Sequence, residues 1–127
     1  MLAILLVSVG AVLGASLRVQ ALVFLSKFFS RKYWGVCLIN ILASCCLGCL
    51  TAIDFKSDLP NTSTPLYLLL GIGFLGSFST FSSFIFELLQ IILQRRWKES
   101  LMLVFTSIPL GLLASFLAFS IANGKTH

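Results

Sequence analysis

The chain has 127 residues, of which 58% are hydrophobic and 10% charged, with a net charge of +5 and a mean hydropathy of +1.04. A soluble domain carries about 25% charged residues, so an ordinary water-facing globule and a disordered chain are both excluded. The solvent that suits this composition is the lipid bilayer.

The charges are clustered and leave uncharged runs at 1–17, 33–53, 59–86 and 100–124. A hydrocarbon core of about 30 Å takes roughly 20 helical residues to cross. The pattern therefore predicts an all-α membrane protein, a single membrane domain over 1–127 with four transmembrane helices at about 2–25, 33–53, 65–93 and 100–122. The first run lacks a basic leading region and is followed by three more spans, so it reads as a span and not as a signal peptide.

The positive charge is not a nucleic-acid footprint. Lys27, Arg31, Lys32, Arg95, Arg96 and Lys98 fall in the loops after the first and third spans, which share one side of the membrane. Lys56 and Lys125 fall on the other. The excess of basic residues in cytoplasmic loops then places the first and third loops in the cytoplasm and both termini outside.

In the first span, Gly10, Gly14 and Arg18 recur at spacings of four and share a helix face. Small residues at that spacing let helices approach closely. Arg18 has two readings: a side chain that snorkels or pairs structurally, or a cation that draws an anion into an aqueous vestibule.

The second span carries Asn40, Ser44 and Gly48 on one face. The Asn40 amide can join helices, or it can line a pore, where its NH2 offers two donors. Cys37, Cys45, Cys46 and Cys49 all lie in this span, with no His or carboxylate close by in sequence except Asp54 near its end. They read as small hydrophobic residues, with a metal or redox pair at Cys45 and Cys49 as the alternative.

The third span is the informative one. Gly71, Gly73 and Gly76, followed by Ser77, Ser79, Thr80, Ser82 and Ser83, sit at mid-membrane depth. That composition favours a broken helix. Backbone groups exposed in a membrane require protein or an ion to satisfy them, and carbonyls freed near Gly76 and Ser79 would suit a hard monovalent cation. Phe81 and Phe84 follow as i,i+3 neighbours. They read either as core or as ring edges that meet an anion, since the edge of an aromatic ring is partly positive. Ser79, Ser83 and Glu87 form a second stripe, with Glu87 at the water interface or gating a pore. In the fourth span Ser107, Gly111 and Ser115 repeat the small-residue spacing, and Pro109 removes one backbone hydrogen bond and kinks the helix.

These residues carry a resemblance over essentially the whole chain. The stretch 10–18 resembles the G-x-x-x-G-x-x-x-R pattern of the Fluc (CrcB) family of fluoride channels. Asn40 resembles that family's second-helix asparagine. The segment 73–84, GFLGSFSTFSSF, is close to its G-F-x-G-G-x-T-T-F-S-T-F signature. The resemblance implies an antiparallel, dual-topology-type dimer of four-helix subunits in the plasma or inner membrane. It implies two narrow pores for passive fluoride export, which relieves the toxicity of fluoride that re-enters as its neutral acid, and a central structural Na+ that is not transported. Carried over by position, the carbonyls of Gly76 and Ser79 would hold the sodium, two from each subunit. Phe81 and Phe84 would be the aromatic pair that fluoride passes, and Asn40 a donor in the pore. Ser82, Ser83, Ser107 and Ser115 would form the hydroxyl track, with Arg18 in the vestibule and Glu87 near a pore end. The chain departs from the pattern at Ser77 (glycine), at Ser79 and Ser83 (threonines), and at Leu103, where the family often has tyrosine.

Neutral donors suit fluoride, which is small and strongly hydrated. Conduction needs weak serial sites, whereas a full positive charge would trap the ion. The bias of basic residues between the two sides, six against two, is unexpected for a dual-topology homodimer. It points to a fixed orientation and to pairing with an oppositely oriented homologue, although a homodimer remains an alternative. Two other functions fit the residues less well. A small four-helix drug/proton antiporter needs a carboxylate in its first helix, where this chain has Arg18 and no acid. A non-transporting membrane subunit has no need of the hydroxyl-rich third span. An enzyme is not expected, since the sole histidine is His127 and no nucleophile–base pair or metal site is apparent.

Overall fold

The computed structural model describes residues 1–56 and 64–124. Lys125 and His127 lie outside the described residues. The chain forms α1 (Leu2–Leu25), α2 (Lys32–Lys56), a π-helical stretch Tyr67–Leu75 that runs into the single turn α3 (Gly76–Phe78), α4 (Phe81–Leu93) and α5 (Trp97–Gly124). No strand occurs among the described residues. Four stretches are long and apolar enough to cross a membrane: Leu2–Leu25, Lys32–Phe55, Tyr67–Leu93 and Trp97–Gly124.

The helices overrun the uncharged segments at several ends. Lys32 and Asp54 are helical in α2, and Lys98 and Glu99 are helical in α5. Charge limits how far a segment sits in hydrocarbon, but it does not end the backbone hydrogen-bond ladder, so a helix continues past the lipid boundary. α5 also runs through Pro109. The missing N–H deprives the Phe105 carbonyl of its i+4 donor, a loss that membrane helices accommodate through neighbouring groups.

Two seams hold the bundle together, and glycine sets both. α2 packs chiefly against α5, where Gly48 lies directly against the Ser115 carbonyl and leaves no room for a Cβ. α1 packs on the π-helical stretch and α3. There a Cβ at Gly10 would collide with the Leu69 carbonyl, one at Gly14 with the Phe74 carbonyl, and one at Gly73 would lie 2.6 Å from the Val7 carbonyl oxygen. Close backbone approach of this kind is what small residues at four-residue spacing permit. The apolar core gathers Tyr33, Val36, Cys37, Phe84, Ile91 and Leu103 where α2, α4 and α5 meet.

The turn from α4 to α5 is short. Arg95 adopts φ 55°, and the Arg96 N–H reaches back to the Ile91 carbonyl, the six-to-one bond of a Schellman ending. Next to it Glu99 accepts hydrogen bonds from Tyr33 Oη (2.8 Å) and Arg96 Nε (2.8 Å), tying the start of α2 to the start of α5.

The glycine seam yields a graded prediction. Gly14→Val should lower stability by about 1–3 kcal/mol through overpacking, read as a drop in the thermal midpoint of the detergent-solubilised protein. Gly111→Ala, whose added Cβ would meet Ser44 Oγ at an ordinary 3.5 Å, should leave the midpoint nearly unchanged.

Candidate functional site

The site is built around the middle of the third span. Thr80 lies midway along Tyr67–Leu93. There the backbone leaves helical geometry: Ser79 has φ −70° and ψ 151°, and Thr80 has φ −147° and ψ 117°. Each extended residue at this depth leaves polar main-chain groups with no helical partner and no water. Asn40 supplies partners for Thr80. The Thr80 N–H donates to Asn40 Oδ1 (2.9 Å), and Asn40 Nδ2 donates to the Thr80 carbonyl (3.2 Å). One side-chain amide thus does for Thr80 what a neighbouring β-strand would do. The Thr80 hydroxyl in turn accepts from the Ser83 N–H (3.2 Å) and caps α4.

These bonds redirect two donors. In a continuous α-helix the Thr80 N–H would serve the Gly76 carbonyl and the Ser83 N–H would serve the Ser79 carbonyl. Here they go to Asn40 and to the Thr80 side chain. A third carbonyl at the same turn, that of Ser77, is met by Arg18 Nη1 at 3.1 Å. Arg18 is half-buried on the α1 seam. The Ser77 hydroxyl sits on that seam too, 2.9 Å from the Ala11 carbonyl and 2.7 Å from that of Gly73.

The candidate residues fall into two groups. Asn40, Phe81, Phe84, Ser107 and Ser115 come together in one cleft of about 310 Å³ between α2, α4 and α5, with Ser44 and Gly111. Phe84 is buried, while Phe81 is 75% exposed, and their ring centroids lie 6.2 Å apart. The pair is therefore core on one side and cleft wall on the other. Ser107 is buried beside Cys37. Ser82, Ser83 and Glu87 do not line this cleft. They face a second, larger one between α1, α2 and α4. The two groups meet at Thr80, whose Oγ1 lies 3.2 Å from Ser82 Oγ and 3.3 Å from Ser83 Oγ. Leu103 is wholly buried, 1% exposed. Gly76 is exposed and Ser79 half-buried.

Sequence reasoning assigned no role to Thr80 or Ser44. A threonine directly before an apolar helical run is an N-cap pattern, and it was present in the sequence. Ser44 Oγ donates back to the Asn40 carbonyl (2.9 Å), one turn along the same face. The four cysteines are free thiols. Among the described residues no group of three or more His, Cys, Asp and Glu is placed to hold a metal.

The Asn40–Thr80 pairing makes a stability prediction. Asn40→Ala strands two main-chain groups and should cost roughly 2 kcal/mol or more. Thr80→Val removes the cap and should cost about 1 kcal/mol. Cys46→Ala, on the exposed face of α2, should be close to neutral. Thermal unfolding in detergent ranks the three.

The geometry can be set beside known proteins. Residues 5–119 match the family model described as CrcB-like protein, Camphor Resistance (CrcB). A Prochlorococcus marinus (strain MIT 9313) protein named fluoride-specific ion channel FluC 1 is 42% identical over 119 residues, 94% of this chain and 91% of its own length. A protein of a second Prochlorococcus marinus strain, named fluoride-specific ion channel FluC 2, is 42% identical over 110 residues, 85% and 82% of the two chains. The Haemophilus ducreyi protein named fluoride-specific ion channel FluC is 35% identical over 124 residues, 97% and 94% of the two chains. No solved structure matches the chain. The matched segment reaches into all four spans and contains both glycine seams and the whole Asn40–Thr80 site, and this multi-pass membrane protein belongs to the CrcB family.

Proposed function

We propose that this chain is a fluoride-selective channel that lets fluoride leave the cytoplasm passively. The observation that carries the reading is the cleft in which Asn40, Phe81, Phe84, Ser107 and Ser115 converge. Its polar groups are an amide and hydroxyls. Burying a bare anion is prohibitive unless donors replace its water. Amide and hydroxyl protons are such donors, and so is the partly positive edge of Phe81. None carries a full charge, so an ion is stabilised without being trapped. The curated relatives named above, each called a fluoride-specific ion channel, support the same reading. This is transport and not catalysis.

The main-chain arrangement fits a structural sodium ion. The Gly76 and Ser79 carbonyls have had their helical donors redirected, and carbonyl oxygens are ligands of the kind that hard cations take. Bound there, the cation would offset the cost of an anion nearby in a low dielectric. Two carbonyls are a small ligand set, and a second subunit would double it. The polar cleft also argues for a second subunit. It opens at the surface through Phe81 and Leu112, both exposed, and hydroxyls facing acyl chains are costly. A second copy or an oppositely oriented homologue would cover it. Six basic residues in the loops after the first and third spans, or in the first turn of the helix that follows, support a cytoplasmic placement of those loops.

Two experiments test this. Purified protein in liposomes with sodium present should release fluoride, followed by electrode, and should retain chloride. Phe81→Ile and Asn40→Asp should cut the rate at least tenfold, and sodium removal should lower it as well. Release of chloride and fluoride at equal rates would refute the selectivity. Separately, a reporter fused to the C-terminus should be active in its external form alone. Equal signal from cytoplasmic and external reporters would show dual topology and remove the case for a fixed partner.

A further inference from the structure

A cleft of about 560 Å³, larger than the one that Asn40 lines, lies on another side of the described residues. It runs between the end of α1, the start of α2 and the first turns of α4. At the membrane-surface end stand Arg31 and Lys32, both exposed, where α2 begins. At the inner end stand Ser82 and Ser83, in the first turn of α4 at mid-span, with their hydroxyls against Thr80 Oγ1. Glu87 lies one turn along α4 from Ser83, between the two ends. One cleft therefore joins a pair of cations at the surface to hydroxyls at the interruption itself.

The backbone adds to this electrostatic pattern. The N-terminus of α2 is at the mouth and that of α4 is at the floor. Helix N-termini carry partial positive charge and favour anions. Two side-chain cations face one carboxylate along the wall. Glu99, the nearby acid, is engaged by Arg96 and Tyr33. Arg18 does not line this cleft, since its guanidinium is on the Ser77 carbonyl.

We infer that this cleft is the cytoplasmic mouth of the fluoride path and that Arg31 and Lys32 are its collecting charges. The inference rests on the channel reading. Exposed cations at a mouth raise the local anion concentration without binding the ion tightly, and their reach is the Debye length. Glu87 acts with the opposite sign. Electrostatic collection differs from a structural role in one measurable way, because salt abolishes it.

The test is initial fluoride efflux from vesicles of zwitterionic phosphatidylcholine, with equal ionic strength on both sides. At about 10 mM ionic strength, where the Debye length is about 30 Å, the Arg31→Gln/Lys32→Gln double variant should be roughly three- to tenfold slower than the unsubstituted chain. At about 1 M, where the Debye length is about 3 Å, the two rates should converge. Arg31→Lys alone should keep the low-salt rate, and Glu87→Gln should raise it. All variants should share one thermal midpoint. Equal loss at both ionic strengths would make the two residues structural and overturn the inference, as would an unchanged low-salt rate. If the unsubstituted chain released no fluoride at either ionic strength, alone or reconstituted with an oppositely oriented homologue, the channel reading would fail, and this inference with it.

Discussion

The paired hydrogen bonds between the Asn40 amide and the Thr80 main chain are what the rest of the site depends on. An extended residue midway along a membrane span is costly, because lipid offers no partner for its N–H and C=O. Asn40 satisfies both from the adjacent helix. Once Thr80 is held there, its side chain is free to cap α4. Phe81 and Phe84 then project from the first turn of a helix with a fixed start. Ser82 and Ser83, on other faces of that turn, point to the larger cleft. One amide thus fixes the direction of four consecutive pore candidates.

The α1 seam is the second support, and it works from the opposite side. Gly10, Gly14 and Gly73 bring two backbones together, and at that range Arg18 and Ser77 supply polar contacts across the gap. In this chain Ser77 stands where the related signature has glycine. The seam absorbs its side chain by aiming the hydroxyl at the Ala11 and Gly73 carbonyls. The contact is also why Gly14 has no spare room, since a Cβ there would come within 2.5 Å of Ser77 Oγ.

The four spans and their approximate limits were legible because hydropathy and charge report directly on the boundary between lipid and water. Residues 71–83 were legible as the place where regular α geometry would fail, because glycine and hydroxyl residues are poor interior helix formers. The grouping of side chains was not legible. Ser83 and Ser107 are both mid-membrane hydroxyls, and composition gives no reason to put them in different clefts. Their separation follows from the rotation of α4 after the extended pair Ser79–Thr80, a tertiary quantity. The place of Arg18 was underdetermined for a related reason. Spacing put it on the glycine face of α1, but the Ser77 carbonyl exists as a partner because the helix it belongs to is interrupted. The π-helical geometry of Tyr67–Leu75 left no mark in the pattern, since a shift from i+4 to i+5 bonding changes the apolar stripe little over so short a run.

The bonds that hold the interruption open are formed by an amide, hydroxyls, main-chain groups and a guanidinium. Amides and hydroxyls do not ionise across ordinary pH, and a guanidinium is a permanent cation. No carboxylate or imidazole takes part in the hydrogen bonds described at Thr80 and Ser77. These bonds therefore do not depend on acidity. A joint built only from such groups keeps its bonds as the surroundings turn acid.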